Sequence, residues 1–148
     1  MAKPLHIFLA DDDTDDVELF EHSLHIVAPS TVFYSASDGL QALQFLAVHE
    51  VPDLIFLDLN MPMADGRACL KAIKKNDRLK DVPSIMFTTS SFSADIMECL
   101  SLGAICFISK PTDVAELRTI LRTVINNVHG DMIGALKQLR TAAGIYTA

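Results

Sequence analysis

The chain has 148 residues, half of them hydrophobic, with a formal charge of -7, a length that suits one domain with a full core and is short for two. The charge is uneven: residues 1–66 carry twelve Asp or Glu against Lys3 alone, and residues 67–148 carry seven against eleven Lys or Arg. An acidic half repels phosphate backbones, and the other half has no basic cluster interleaved with aromatics, which argues against direct DNA binding.

Apolar runs of strand length alternate with helix-period segments, the pattern of repeated βα units around a parallel sheet. A first strand is predicted over residues 5–10, then a helix over 14–26 with Val17, Phe20, Leu24 and Val27 on one face. Asp15, Asp16 and Glu18 suit the positive N-terminal end of that helix, and Pro29 stops it. A second strand covers 31–36 and a helix 39–48. Residues 54–59 are nearly continuous apolar sequence, as for a central strand buried on both faces. Met61-Pro62 and Asp65-Gly66 mark a loop, followed by a helix over 68–75, a fourth strand over 84–88 and a helix over 94–102. Gly103 is placed to end that helix in the left-handed conformation. A fifth strand over 105–109 and a long helix over 113–128, capped by Thr112 or Asp113, complete a doubly wound α/β domain assigned to residues 1–128.

Residues 129–148 form a C-terminal extension too short for a helix-turn-helix domain. Met132, Ile133, Leu136 and Leu139 fall at helical spacing and predict a short amphipathic helix over 131–142, with a frayed tail as the alternative. Cys69, Cys99 and Cys106 are odd in number and lack C-x-x-C spacing, so they read as small core residues in a reducing compartment. The N-terminus enters a strand instead of a signal peptide, and no apolar stretch approaches the ~18 residues of a bilayer span. A cytoplasmic protein without a membrane partner is expected.

In open parallel sheets, sites form beyond the C-terminal strand ends where the strand order reverses, which for the five-stranded order 2-1-3-4-5 lies between strands one and three. Those strands end in Asp11-Asp12 and Asp58, and the same edge collects Thr88 and Lys110. Two unit charges about 4 Å apart interact by about 4 kcal/mol at an effective dielectric near 20, so gathered carboxylates need a hard cation. Oxygen ligands suit Mg²⁺, or Mn²⁺ in its place. A carboxylate is also a nucleophile toward a phosphoryl group, giving an aspartyl phosphate. Asp58, on the most buried strand, is the candidate phosphoacceptor. Asp11, Asp12 and Asp58 would hold the metal, with the Asn60 backbone carbonyl completing its shell. Lys110 and Thr88 would bind the transferred oxygens. Asp13 takes the helix-cap role, and Thr88 is preferred over Thr89 because it adjoins the strand end. His6, His22, His25, His49 and His129 share no metal-ligand spacing.

Ile7-Phe-Leu-Ala-Asp-Asp-Asp13, Leu57-Asp-Leu-Asn-Met-Pro62 with Asp65-Gly66, Ile85-Met-Phe-Thr88 and Phe107-Ile-Ser-Lys-Pro111 together resemble the receiver domain of two-component response regulators, over residues 5 to about 127. The resemblance implies a flavodoxin-like parallel sheet with helices on both faces, and Mg²⁺-dependent phosphorylation of Asp58 by a sensor histidine kinase or phosphotransfer protein. It implies a switch in which Thr88 moves toward the phosphate and Phe107 rotates, read out on the surface of helix four, strand five and helix five. It also implies a cis Lys110–Pro111 bond. Met63 departs from the pattern, because many members have Gly there. Such a protein, here of the single-domain type, would be no enzyme beyond its own phosphorylation and dephosphorylation, and a second copy of the chain is a further candidate partner. Two other readings stand beside it: a phosphate-independent pseudo-receiver adaptor, and a Mg²⁺-dependent small-molecule phosphatase. The second lacks the Asp-x-Asp motif of haloacid-dehalogenase-type enzymes, since Asn60 stands two residues after Asp58.

Overall fold

The sheet is laid down by the apolar runs. His6–Ala10 (β1) pairs in parallel with Val32–Ala36 (β2) on one side and with Leu54–Leu57 (β3) on the other. Ser84–Thr88 (β4) and Cys106–Ser109 (β5) extend it, also in parallel, in the order expected from the sequence. The computed structural model describes residues 3–139 and 143–148. Every residue of β3 and β4 is buried, as helices on both faces require.

Strand alternation divides the apolar side chains between two cores. Phe8, Ile55, Leu57, Met86 and Phe107 face Leu46, Leu70, Ile73 and Cys99 from Gly39–Val48 (α2), Gly66–Lys75 (α3) and Ser93–Ser101 (α4). Ile7, Leu9, Phe56, Ile85 and Ile108 face Phe20, Leu24, Leu117 and Leu121 from Thr14–Val27 (α1) and Val114–Asn126 (α5). Phe20 meets the Phe56 ring edge-on at 4.9 Å between centroids.

Aspartates start most of these helices. Asp13, Asp38, Asp65 and Asp113 accept backbone N–H bonds in the first turns of α1, α2, α3 and α5, so part of the acid excess has a capping role. α4 differs: it begins after Phe92 with no side-chain cap bond. Two glycines meet specific demands. Gly103 ends α4 at φ +110°, and a Cβ on Gly66 would lie 2.3 Å from the Asp58 carbonyl oxygen, so α3 starts directly against the end of β3.

Three expectations need correction. The sheet has six strands, because Ile145–Thr147 (β6) pairs antiparallel with β5 as Phe107↔Tyr146, and Ser109 N–H donates to the Gly144 carbonyl at 2.8 Å. An edge strand leaves a row of unpaired N–H and C=O groups, and β6 satisfies those of β5. The extension helix, Met132–Lys137 (α6), is shorter than predicted and is capped by Asp131. Residues 140–142 of the predicted span lie outside the described residues. A frayed tail does not describe α6, since Met132 and Leu136 are buried against α5 in the second core. Lys110–Pro111 is trans, since no cis bond occurs among the described residues; trans is the ordinary preference of X–Pro bonds.

Candidate metal and phosphoryl site

The pairing of β1 with β3 builds the centre of the site. Ala10 lies opposite Leu57, so the next residues, Asp11 and Asp58, leave the sheet side by side. Asp58 N–H donates to the Ala10 carbonyl at 2.9 Å, and Asp11 N–H donates to the Ala36 carbonyl at 3.0 Å. Asp11 and Asp58 are buried and Asp12 is exposed. Their carboxylate oxygens lie within 4.8 Å of one another, and no other such convergence of potential ligands occurs among the described residues. The histidines take no part in it. Asp13 turns away to cap α1, through Asp15 N–H and Asp16 N–H, as the sequence led us to expect.

The β4–β5 pair supplies the rest. Thr88 lies opposite Ser109, and Lys110 N–H donates to the Thr88 carbonyl at 2.7 Å. Lys110 then reaches across the strand ends, with Nζ 2.7 Å from Asp11 Oδ2 and 3.1 Å from Asp58 Oδ2. The Thr88 hydroxyl is fully buried and has no hydrogen-bond partner among the described residues. A buried hydroxyl in that state costs free energy unless a ligand takes it up. Asn60 N–H donates to Asp58 Oδ1 at 3.3 Å. Phe107 is buried in the first core, with the Tyr146 ring of β6 edge-on at 6.3 Å.

The charges of this site are mutually strained. Burial pushes the Asp11 carboxyl up to about 6, against the opposing pull of its bonds from Lys110 and the Asp13 N–H, and the Asp58 charge adds to the rise. Burial alone would lower the Lys110 ammonium, but its bonds to Asp11 and Asp16 and the Asp58 charge outweigh that and raise it. A dense set of hard oxygen donors with one fixed cation beside it suits a small divalent ion that keeps several waters, the preference of Mg²⁺.

Sequence reasoning missed one residue of the site and an ion-pair network outside it. Asp16, read as a helix-dipole residue, holds Lys110 Nζ at 2.7 Å; only the packing of α1 against α5 brings together residues 94 apart. Arg67 on α3 pairs with Asp95 and Glu98 of α4, and the Ser90 hydroxyl donates to Asp95 Oδ2 at 2.6 Å. No spacing rule joins Arg67 to Asp95. Met63, where many family members have Gly, has φ +71°, a left-handed conformation that favours glycine.

The model of the response regulator receiver domain matches residues 7–122. The chain belongs to this family. Receivers serve two-component phosphorelay systems, and aspartate phosphorylation and Mg²⁺ binding are typical of them. This receiver is 32% identical over 120 residues to response regulator Rcp1 of Synechocystis sp., covering 77% of this chain and 82% of that protein. The crystal structure of the phosphorylated cyanobacterial phytochrome response regulator RcpA superposes with a TM-score of 0.76 at 31% identity, covering 82% of this chain and 91% of that one. The Mn²⁺-bound form of Rcp1 superposes with a TM-score of 0.74 at 31% identity and the same coverage. Among the described residues, no helix is long and apolar enough to cross a membrane.

Proposed function

We propose that this receiver is a phosphorylation-dependent switch whose phosphoacceptor is Asp58. The observation that carries this reading is the convergence of Asp11, Asp12 and Asp58 beside Lys110 and the unpartnered Thr88 hydroxyl. A Asp58 carboxylate oxygen attacks the phosphorus of a phosphohistidine on a sensor kinase or phosphotransfer protein; the new O–P bond forms as the N–P bond breaks, and the imidazole leaves. Asp11, Asp12, Asp58 and the Asn60 carbonyl would hold Mg²⁺ or Mn²⁺, which when bound would neutralise the carboxylates and the transferring oxygens. Lys110 pairs with a phosphoryl oxygen in place of an Asp58 oxygen.

The Thr88 hydroxyl then donates to another phosphoryl oxygen, and the displacement of β4's end is passed to Phe107. The read-out face comprises α4, β5 and α5, with β6 lying along β5. The chain acts on no substrate beyond its own aspartyl phosphate. A cytoplasmic location accords with Cys69, Cys99 and Cys106, all buried and unpaired. Incubation with acetyl phosphate and Mg²⁺, followed by intact-mass spectrometry, should add one phosphoryl group. Omitting the metal or substituting Asp58→Ala should abolish it; no adduct on the unsubstituted chain would refute the reading.

A further inference from the structure

In the phosphoryl-transfer reading Thr88, the last residue of β4, turns its unpartnered hydroxyl to a phosphoryl group on Asp58 and carries the following loop with it. That loop is tied down at Ser90, two residues on. The Ser90 carbonyl accepts a bond from the Ser109 hydroxyl at 3.0 Å, and the Ser90 hydroxyl donates to Asp95 Oδ2. The other Asp95 oxygen is held by the Arg67 guanidinium, which also grips Glu98 one turn further along α4. Arg67 is the second residue of α3, and α3 starts against the Asp58 carbonyl. Gly66 N–H donates to the Leu59 carbonyl at 2.9 Å, so a chain of contacts runs from the segment after β3, through α3 and α4, to the loop that follows Thr88.

The helix at the centre of this chain is weakly anchored otherwise. α4 has nine residues, no side-chain N-cap, and only Ile96 and Cys99 buried. Phe92 and Met97 are exposed at 74% and 71%, so they do not pin it to the core. The start of α4 is held by Asp95, and Asp95 is oriented by Arg67. The Arg67 and Asp95 side chains are 29% and 20% exposed, sheltered enough for the pair to matter and open enough for it to break.

We infer that Arg67 and Asp95 form a latch that holds the β4–α4 loop through Ser90 and must open for Thr88 to reach the phosphoryl group. The latch rests on the phosphoryl-transfer reading above and adds two positioning residues to it. Two states compete for Ser90: one in which Asp95 holds its hydroxyl, and one in which the loop has moved toward Asp58. Removing the latch weakens the first state alone, so the population shifts toward the second.

The test uses the full chain as wild type, Asp95→Ala, Arg67→Ala, the double variant and Asp95→Glu. The readouts are the rate of phosphorylation by acetyl phosphate and a calorimetric Mg²⁺ titration. Each single removal should raise the phosphorylation rate about five-fold, the scale of one partly exposed charge-assisted hydrogen bond. The double variant should match the singles, because either substitution opens the same latch, and Asp95→Glu should return toward wild type. Mg²⁺ affinity should stay the same throughout. Unchanged rates, multiplied effects in the double variant, or a parallel change in Mg²⁺ affinity would each overturn the latch. A wild-type chain that takes up no phosphoryl group overturns the latch and the phosphoryl-transfer reading together. Uptake by wild type with no change in the variants removes the latch alone.

Discussion

Lys110 Nζ lies 3.1 Å from Asp58 Oδ2, at the end of a strand two places away from the one that carries Asp58. The same ammonium holds Asp11 and Asp16, so one cation balances three carboxylates in a largely buried setting. Without a metal ion, the site depends on it.

Lys110→Met should therefore destabilise the metal-free protein by about 3 kcal/mol, the cost of leaving buried charge without its partner. Mg²⁺ should recover more stability in this variant than in the wild type, because it takes over the neutralising role. Denaturant midpoints with and without Mg²⁺ check this. An equal Mg²⁺ effect on both proteins would mean that Lys110 and the metal ion do not share the same charges.

The carboxyl of Asp11 is raised to about 6 in the folded chain, from an ordinary 3.8. The folded state then binds this proton more tightly than the unfolded state. The stabilisation is present in full below pH 3.8 and is lost as pH rises through about 6. The stability difference between wild type and Asp11→Asn, measured without metal, should accordingly favour Asn increasingly between pH 4 and about 6.5. Mg²⁺ affinity of the wild type should weaken over the same window as pH falls. A pH-independent difference would contradict the assignment of this charge strain to Asp11.

Most of the fold is legible in the chain because its cues are local. Residues 54–59 read as a doubly buried strand from their nearly unbroken apolar run, and 54–57 form it; Asp13 and Asp113 read as caps from their place before helical patterns. The juxtaposition of Asp11 with Asp58 followed from strand order alone. What escaped depends on distant partners. Three residues, Ile145 to Thr147, carry too short a pattern to announce a strand; the open edge of β5 makes them one. Asp16 and Arg67 look like ordinary surface charges until helix docking gives them Lys110 and Asp95.

Met63 keeps φ +71° with a side chain that is 74% exposed. A left-handed non-glycine residue costs about 1–2 kcal/mol, and glycine gives back part of that through its looser unfolded state. Met63→Gly should raise stability by roughly 0.5–1 kcal/mol. A higher denaturant midpoint at unchanged slope is the expected outcome, and a lower midpoint would show that Met63 has contacts that outweigh its strain.

Leu136 of α6 is 2% exposed and belongs to the second core. Leu136→Ala should cost about 2–4 kcal/mol, as for a buried core truncation. A loss below about 0.5 kcal/mol, the usual range for surface substitutions, would show that the C-terminal extension adds nothing to the packed domain.

Chemical trapping of the phosphoryl linkage bears most directly on Asp58. Phosphorylation with acetyl phosphate and Mg²⁺, then reduction with borohydride and peptide sequencing, converts an aspartyl phosphate to homoserine at its own position. Homoserine should be found at position 58 and nowhere else. Its absence there, or its presence at Asp11 or Asp12 instead, would contradict the role assigned to Asp58.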